Sequence, residues 1–218
     1  MGLVDAVLDF LYPPRCPKCN AYVEERGGWC PECLRETVSV QRLPLSAELA
    51  GVMNAAWAMG HYRGALQNLI RGLKYHGKKE NLLRIRTFLQ ACGKACEVLP
   101  EQLLAVPVPL HPAREKQRGF NQVEWIFRPW LMERGIPMER MLCRIRQTEA
   151  QYGLSPLERQ KNLEGAFAMA RDADVRGKAL LLVDDIMTTG TTFRACAKVL
   201  KEAGAVAVYG LVLASDRA

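Results

Sequence analysis

The run LLLVDDIMTTGTT, residues 180–192, constrains the fold of this chain more than any other stretch. Leu180, Leu181, Leu182 and Val183 form a continuous apolar run, the pattern of a parallel strand buried on both faces. Asp184 and Asp185 are therefore expected at the carboxyl end of that strand, where open α/β sheets place their ligand crevice. Two adjacent carboxylates there can accept from vicinal hydroxyls, such as the 2- and 3-hydroxyls of a ribose, and they put negative charge beside a sugar carbon that becomes cationic. Thr188, Thr189, Gly190, Thr191 and Thr192 follow, just before a helix whose apolar positions include Ala195, Val199 and Leu200. Hydroxyls, free backbone N–H groups at a helix start and a glycine that admits close approach together make a phosphate grip. Simple helix capping would explain one Asp or one Thr, but not the whole ordered set. No Walker loop and no GxGxxG turn is present in the stretch.

The length of 218 residues fits one medium α/β domain with a small appendage, and 49% hydrophobic content is ample for a packed core. A formal charge of +7 and a pI near 9.1 favour polyanionic ligands, either phosphate-rich small molecules or nucleic acid. Near the N-terminus, Val4, Val7, Leu8 and Leu11 share a helical face before Pro13 and Pro14 stop it. Asp5 and Asp9 interrupt that segment, so it does not read as a secretory signal. With no apolar run long enough to span a bilayer, the expectation is a cytoplasmic protein.

Four of the eight cysteines cluster. Cys16, Cys19, Cys30 and Cys33 form CPKC and CPEC knuckles around a Gly-bearing loop, a spacing that brings four thiolates to one tetrahedral zinc ion. Two disulfides are the competing assignment, which a reducing compartment disfavours. Four sulfurs leave no open coordination position, so the zinc is expected to be structural and to supply folding energy to a module too small for its own core. Cys92, Cys96, Cys143 and Cys196 are scattered and are assigned to packing.

Residues 55–62 predict a strand, and Leu66, Leu69, Ile70 and Leu73 mark an amphipathic helix ending near Gly77. The basic LKYHGKK at 73–79 is either a solvated helix end or a phosphate or nucleic-acid contact; His76 in it is not taken as a metal ligand. A second helix is expected over 80–97. LLAVPVPL at 103–110 reads as a strand whose Pro107 and Pro109 stop ladder pairing. Residues 111–122, HPAREKQRGFNQ, read as a loop whose Arg114, Lys116 and Arg118 are placed to meet a pyrophosphate leaving group. Phe120, Val123, Phe127, Trp130 and Leu131 suggest a helix that Pro129 should kink or divide. The polar stretch 144–167 reads as a loop, and AVAVYGLVLA at 205–214 as the last strand, after a helix ended by Gly204.

The VDDIMTTGTT stretch resembles the phosphoribosyl pyrophosphate (PRPP) motif of type I phosphoribosyltransferases. Together with the zinc knuckles, LKYHG, PVPLHPAREKQRGFNQ, the T-x-x-Q-x-x-L-S-x-x-x-R-x-x-N run from Thr148 to Asn162, and GAF, it resembles the ComF family of competence-associated proteins over most of the chain. Lys78 departs from the acidic residue often found in that family after the glycine of LKYHG. The resemblance implies a type I phosphoribosyltransferase-like parallel sheet flanked by helices, residues 46–218, after an N-terminal helix and zinc module, residues 1–45. It implies PRPP binding by Asp184, Asp185, Thr188, Thr189, Gly190, Thr191 and Thr192, with the two acids catalytic. It also implies a pyrophosphate loop containing His111, Arg114, Lys116 and Arg118, a flexible active-site loop over Gln147–Asn162, and magnesium bound with PRPP. The implied activity is transfer of the phosphoribosyl group to an acceptor that the sequence does not name, in the setting of DNA uptake. A non-catalytic competence factor that binds single-stranded nucleic acid and uses PRPP as a regulatory ligand is the alternative. Single-stranded DNA and DNA-uptake proteins are the partners this resemblance suggests beyond PRPP.

Overall fold

The structure, a computed structural model, describes residues 13–75, 77–78, 80–146 and 163–217. The expected N-terminal helix, His76 and the segment Gln147–Asn162 lie outside the described residues.

The strongly apolar runs form one sheet. Strand β1 (Gln41–Arg42) pairs antiparallel with β2 (Ala55–His61), and β2, β7 (Ala207–Ser215), β6 (Ala179–Met187) and β3 (Leu103–Pro107) lie parallel in that order. Central strand β6 is covered on both sides, which is why its residues 180–183 carry no polar group. Leu181 and Val183 face α3 (Gly64–Tyr75), α4 (Glu80–Ala91) and α6 (Gln122–Met132), packing into one cluster with Ile70, Phe88 and Phe127. Leu180 and Leu182 face the other way, toward Phe193, Cys196 and Leu200 of α7 (Thr191–Glu202). The small pair β4 (Leu142–Arg144) and β5 (Phe167–Met169) packs on that second side. Residues 144–167 were expected to be loop throughout, yet their two described ends are zipped together by this antiparallel pair.

The structure differs from the sequence expectations in three local places. The stretch expected as a loop after β3 contains a helix, α5 (Pro112–Arg118): His111 accepts from the Ala113 N–H, Pro112 occupies the first turn, and Gly119 ends the helix at φ 78°. That is the Pro-start, Gly-stop pattern of a short helix. Helix α6 runs through Pro129 undivided. The proline cannot donate to the Trp125 carbonyl one turn back, and Arg86 Nη2 makes a long 3.5 Å contact there instead. The helix expected over 80–97 stops at Ala91 and continues as a 3-10 turn from Gly93 to Val98. The end of β3 matches its prolines: ladder pairing stops at Pro107, opposite Val183.

The cysteine module, including the short helix α1 (Pro31–Thr37), rests against α4. Trp29 Nε1 donates to the Arg84 carbonyl at 2.8 Å, and the Trp29 and Phe88 rings lie 6.3 Å apart. Gly27 sits at φ +85°, where a Cβ would come within 2.6 Å of the Leu83 Cβ, so only glycine allows this approach. The Sγ atoms of Cys16, Cys19, Cys30 and Cys33 lie within 4.8 Å of one another, and none is disulfide-bonded. Four sulfurs at ~2.3 Å around a tetrahedral ion stand about 3.8 Å apart. The Cys19–Cys30 separation of 3.7 Å matches that spacing. Purified protein is expected to contain about one zinc ion per chain, measured by atomic absorption. Stripping the ion is expected to lower the melting temperature by at least about 5 °C; zinc-free protein with oxidised knuckle cysteines, or an unchanged melt after complete zinc loss, would contradict a metal-held module.

Candidate functional site

A strand sends successive side chains to opposite faces, and β6 extends this alternation beyond its apolar run. Asp185 follows the parity of Leu181 and Val183, toward α3 and α6. Its side chain is only 3% exposed, with Oδ1 2.7 Å from the Lys74 Nζ. Its Oδ2 accepts from Gln122 Nε2 at 3.2 Å, and Gln122 Oε1 in turn accepts from Arg118 Nη1 at 2.9 Å. Asp184 follows Leu182 toward the second face, where Arg144 and Cys196 are its electrostatic neighbours. Its Oδ1 accepts the Asp185 N–H at 2.8 Å.

The surroundings of Asp184 alter its proton affinity. Burial pushes the Asp184 carboxyl above its ordinary value, the adjacent Asp185 charge adds to the rise, and Lys74 opposes it. Burial likewise lowers Arg144, and the nearby charge of Arg114 lowers it further. The acids were expected at the carboxyl end of their strand. On the β3 side they stand past the last paired residue, Val183, while on the β7 side pairing continues to Met187 and Ser215. They are thus held rigidly by one neighbour and opened by the other.

The threonine turn begins where β6 ends. Ser215 Oγ donates to the Met187 carbonyl at 2.7 Å, tying the start of the turn to the end of β7. Gly190 caps α7 at φ 80° without a side-chain hydrogen bond of its own, and a Cβ there would lie 2.5 Å from Cδ1 of Leu49 on the short helix α2 (Ala47–Ala50). Glycine is required both by this backbone angle and by Leu49 packed beneath it. Thr189 and Thr191 hydroxyls are 2.8 Å apart, and the Thr191 N–H points at Thr189 Oγ1 at 3.4 Å. Gly190 itself carries no capping side chain, and a helix N-terminus suits an anion.

Of the four basic-segment residues, Arg118 reaches Asp185 through Gln122, and Arg114 lies close enough to Arg144 for their charges to interact. His111 caps α5 through Nδ1, and Lys116 is exposed. Arg140 braces α5 against α6 by pairing with Glu115 at 2.7 Å and Glu124 at 2.6 Å. Sequence reasoning missed Lys74, Gln122 and Arg144. Each lies in a run that was singled out, but nothing in its spacing points to an aspartate far along the chain. Cys92 and Cys196 are buried, and burial pushes both thiols up, Cys92 to about 12, which removes them from thiolate chemistry. The Cys96 side chain is outside the described residues.

Residues 142–218 match the model of the phosphoribosyl transferase domain, and residues 7–44 match that of the double zinc ribbon domain. Sequence match and sheet topology define a type I phosphoribosyltransferase-like fold carrying an N-terminal four-cysteine zinc ribbon. The chain is 27% identical over 208 residues to competence protein F of Haemophilus influenzae, covering 92% of this chain and 85% of that one. It is 30% identical over 201 residues to the DNA utilization protein YhgH of Escherichia coli K12, covering 88% and 80%. It is also 30% identical over 202 residues to competence protein ComFC of Streptococcus pneumoniae, covering 90% and 86%. The chain belongs to this ComF family of competence proteins. Among the described residues no helix is long and apolar enough to cross a membrane.

The raised Asp184 carboxyl has a consequence for stability. A carboxyl whose folded value exceeds its unfolded value binds its proton more tightly in the folded protein, so it favours folding at low pH. That contribution is lost as pH rises from the ordinary aspartate value of 3.8 through the higher folded value. Asp184→Asn, which cannot ionise, is expected to melt at a higher temperature than wild type at about pH 9 and to lose that advantage towards about pH 5. Scanning fluorimetry across the range checks this; parallel pH profiles for the two proteins would contradict it.

Proposed function

We propose that this protein binds PRPP with magnesium at the carboxyl ends of β3 and β6 and transfers its phosphoribosyl group to an acceptor in the course of DNA uptake or processing, in the cytoplasm. The observation that carries the proposal is the continuity of β6, its two acids and the glycine-started α7 in one rigid unit. The turn from Thr188 to Thr192 would hold the 5-phosphate through hydroxyls and first-turn N–H groups. Asp184 and Asp185 would face the ribose end, accepting from hydroxyls and stabilising positive charge as the anomeric bond lengthens. Arg114 and Arg118, on α5 after β3, supply cations for the departing pyrophosphate. Carboxylate oxygens are suitable neighbours for a hard divalent ion that keeps its waters. Bound with PRPP, magnesium would supply neutralisation of leaving-group charge. In this proposal residues 1–45 form the metal-held module and residues 46–218 the transferase-like domain.

The relatives' names support the DNA setting, and the formal charge of +7 suits a polyanionic partner. The same features support a second reading, a competence factor that binds single-stranded DNA and uses PRPP as a regulatory ligand without turnover. Pyrophosphate release separates the two. Calorimetric titration with Mg and PRPP is expected to show binding by wild type, weakened at least about tenfold in Asp184→Asn and in Asp185→Asn. A transferase would also release pyrophosphate when the right acceptor is added, whereas a binding factor would release none. Unchanged affinity in both variants, with folded protein, would overturn the site. Single-strand DNA affinity that falls with salt and survives both substitutions would place DNA on a separate basic surface.

A further inference from the structure

Asp185 is an unusual ligand acid, because both of its oxygens are already engaged inside the protein. Gln122 holds Oδ2 as a neutral donor, and the Lys74 ammonium sits 2.7 Å from Oδ1. An ionised carboxylate this dry needs a neutralising partner. Gln122 carries no charge, and Arg118 reaches the acid only through Gln122. Lys74 is thus the cation in direct contact with this carboxylate.

Lys74 is built to stay and also to leave. It comes from the last turn of α3, where a cation suits the helix dipole, and its side chain is 20% exposed while that of Asp185 is 3%. A flexible four-carbon stem with a solvent route lets the ammonium swing away without moving the helix. While it is in place, it cancels part of the negative charge that would draw a free divalent ion, and it occupies the oxygen that such an ion would take.

We propose that Lys74 is a specificity-determining residue, the resident cation of the acid pair, which keeps free divalent metal out so that metal enters the site together with the sugar diphosphate rather than ahead of it. This rests on the assignment of the acids to the ribose end of a PRPP site.

The test uses the full-length, zinc-loaded protein and Mn2+ alone as the probe, with bound ion counted by electron paramagnetic resonance. Lys74→Met removes the charge, and Lys74→Gln removes it while keeping a donor for Asp185, which protects the fold; melting curves check both. Each variant is expected to bind Mn2+ at least about tenfold more tightly than wild type. Lys74→Arg is expected to match wild type, and adding Asp185→Asn to Lys74→Met is expected to abolish the gain. Equal Mn2+ affinity in wild type, Lys74→Met and Lys74→Gln would overturn the proposal, as would a gain that persists without Asp185. A parallel titration of wild type with Mg and PRPP tests the assignment on which it rests. Failure there, with the Mn2+ gain intact, would remove PRPP as the ligand and leave the resident cation standing.

Discussion

The pleat of β6 governs this site. Neighbouring residues of a strand point to opposite faces, and because β6 is sandwiched between two helical layers, its two acids are delivered into two separately packed environments. Asp185 enters the layer of α3, α4 and α6, where Lys74 and Gln122 hold it. Asp184 enters the layer of α7 and β4, with Arg144 and Cys196 as neighbours and a raised proton affinity. A pair of identical side chains thereby acquires two surroundings, one with a cation at its oxygen and one in which burial raises the carboxyl's proton affinity.

The same strand couples distant elements. Through Asp185, β6 is joined to the end of α3 by Lys74 and to the start of α6 by Gln122, whose carbonyl oxygen receives Arg118 from α5. Through the Met187 carbonyl it is joined to the end of β7 by Ser215. Loops that would otherwise move independently are thus tied at the carboxyl end of the sheet. The zinc ribbon is fastened to α4 by Trp29 and by the close approach at Gly27, and α4 shares its core cluster with α3, which carries Lys74. The four-cysteine appendage therefore braces the helical layer that faces Asp185.

Much of this was legible in the sequence because it is local. The apolar run at 180–183, the periodicity of Leu66, Leu69, Ile70 and Leu73, and the spacing of the four knuckle cysteines each encode their structure within a few residues. Helix α5 was legible too in principle, since Pro112 and Gly119 bracket it, although the stretch was read as a loop following a strand. Pro129 does not divide its helix, and Arg86 comes from another helix to the carbonyl that the proline cannot reach. The partners of Asp185 were not legible at all. Whether Lys74 is a solvated helix end or a buried ion-pair partner depends on how α3 lies across the sheet, which no local pattern states.

The measurement that bears most directly on the function is a crystal structure of the protein with Mg and PRPP. The expected result is the 5-phosphate seated on the turn from Thr188 to Thr192, the ribose hydroxyls over Asp184 and Asp185, and the pyrophosphate toward Arg114 and Arg118. A ligand bound elsewhere, or a turn and acid pair left empty at saturating PRPP, would contradict it.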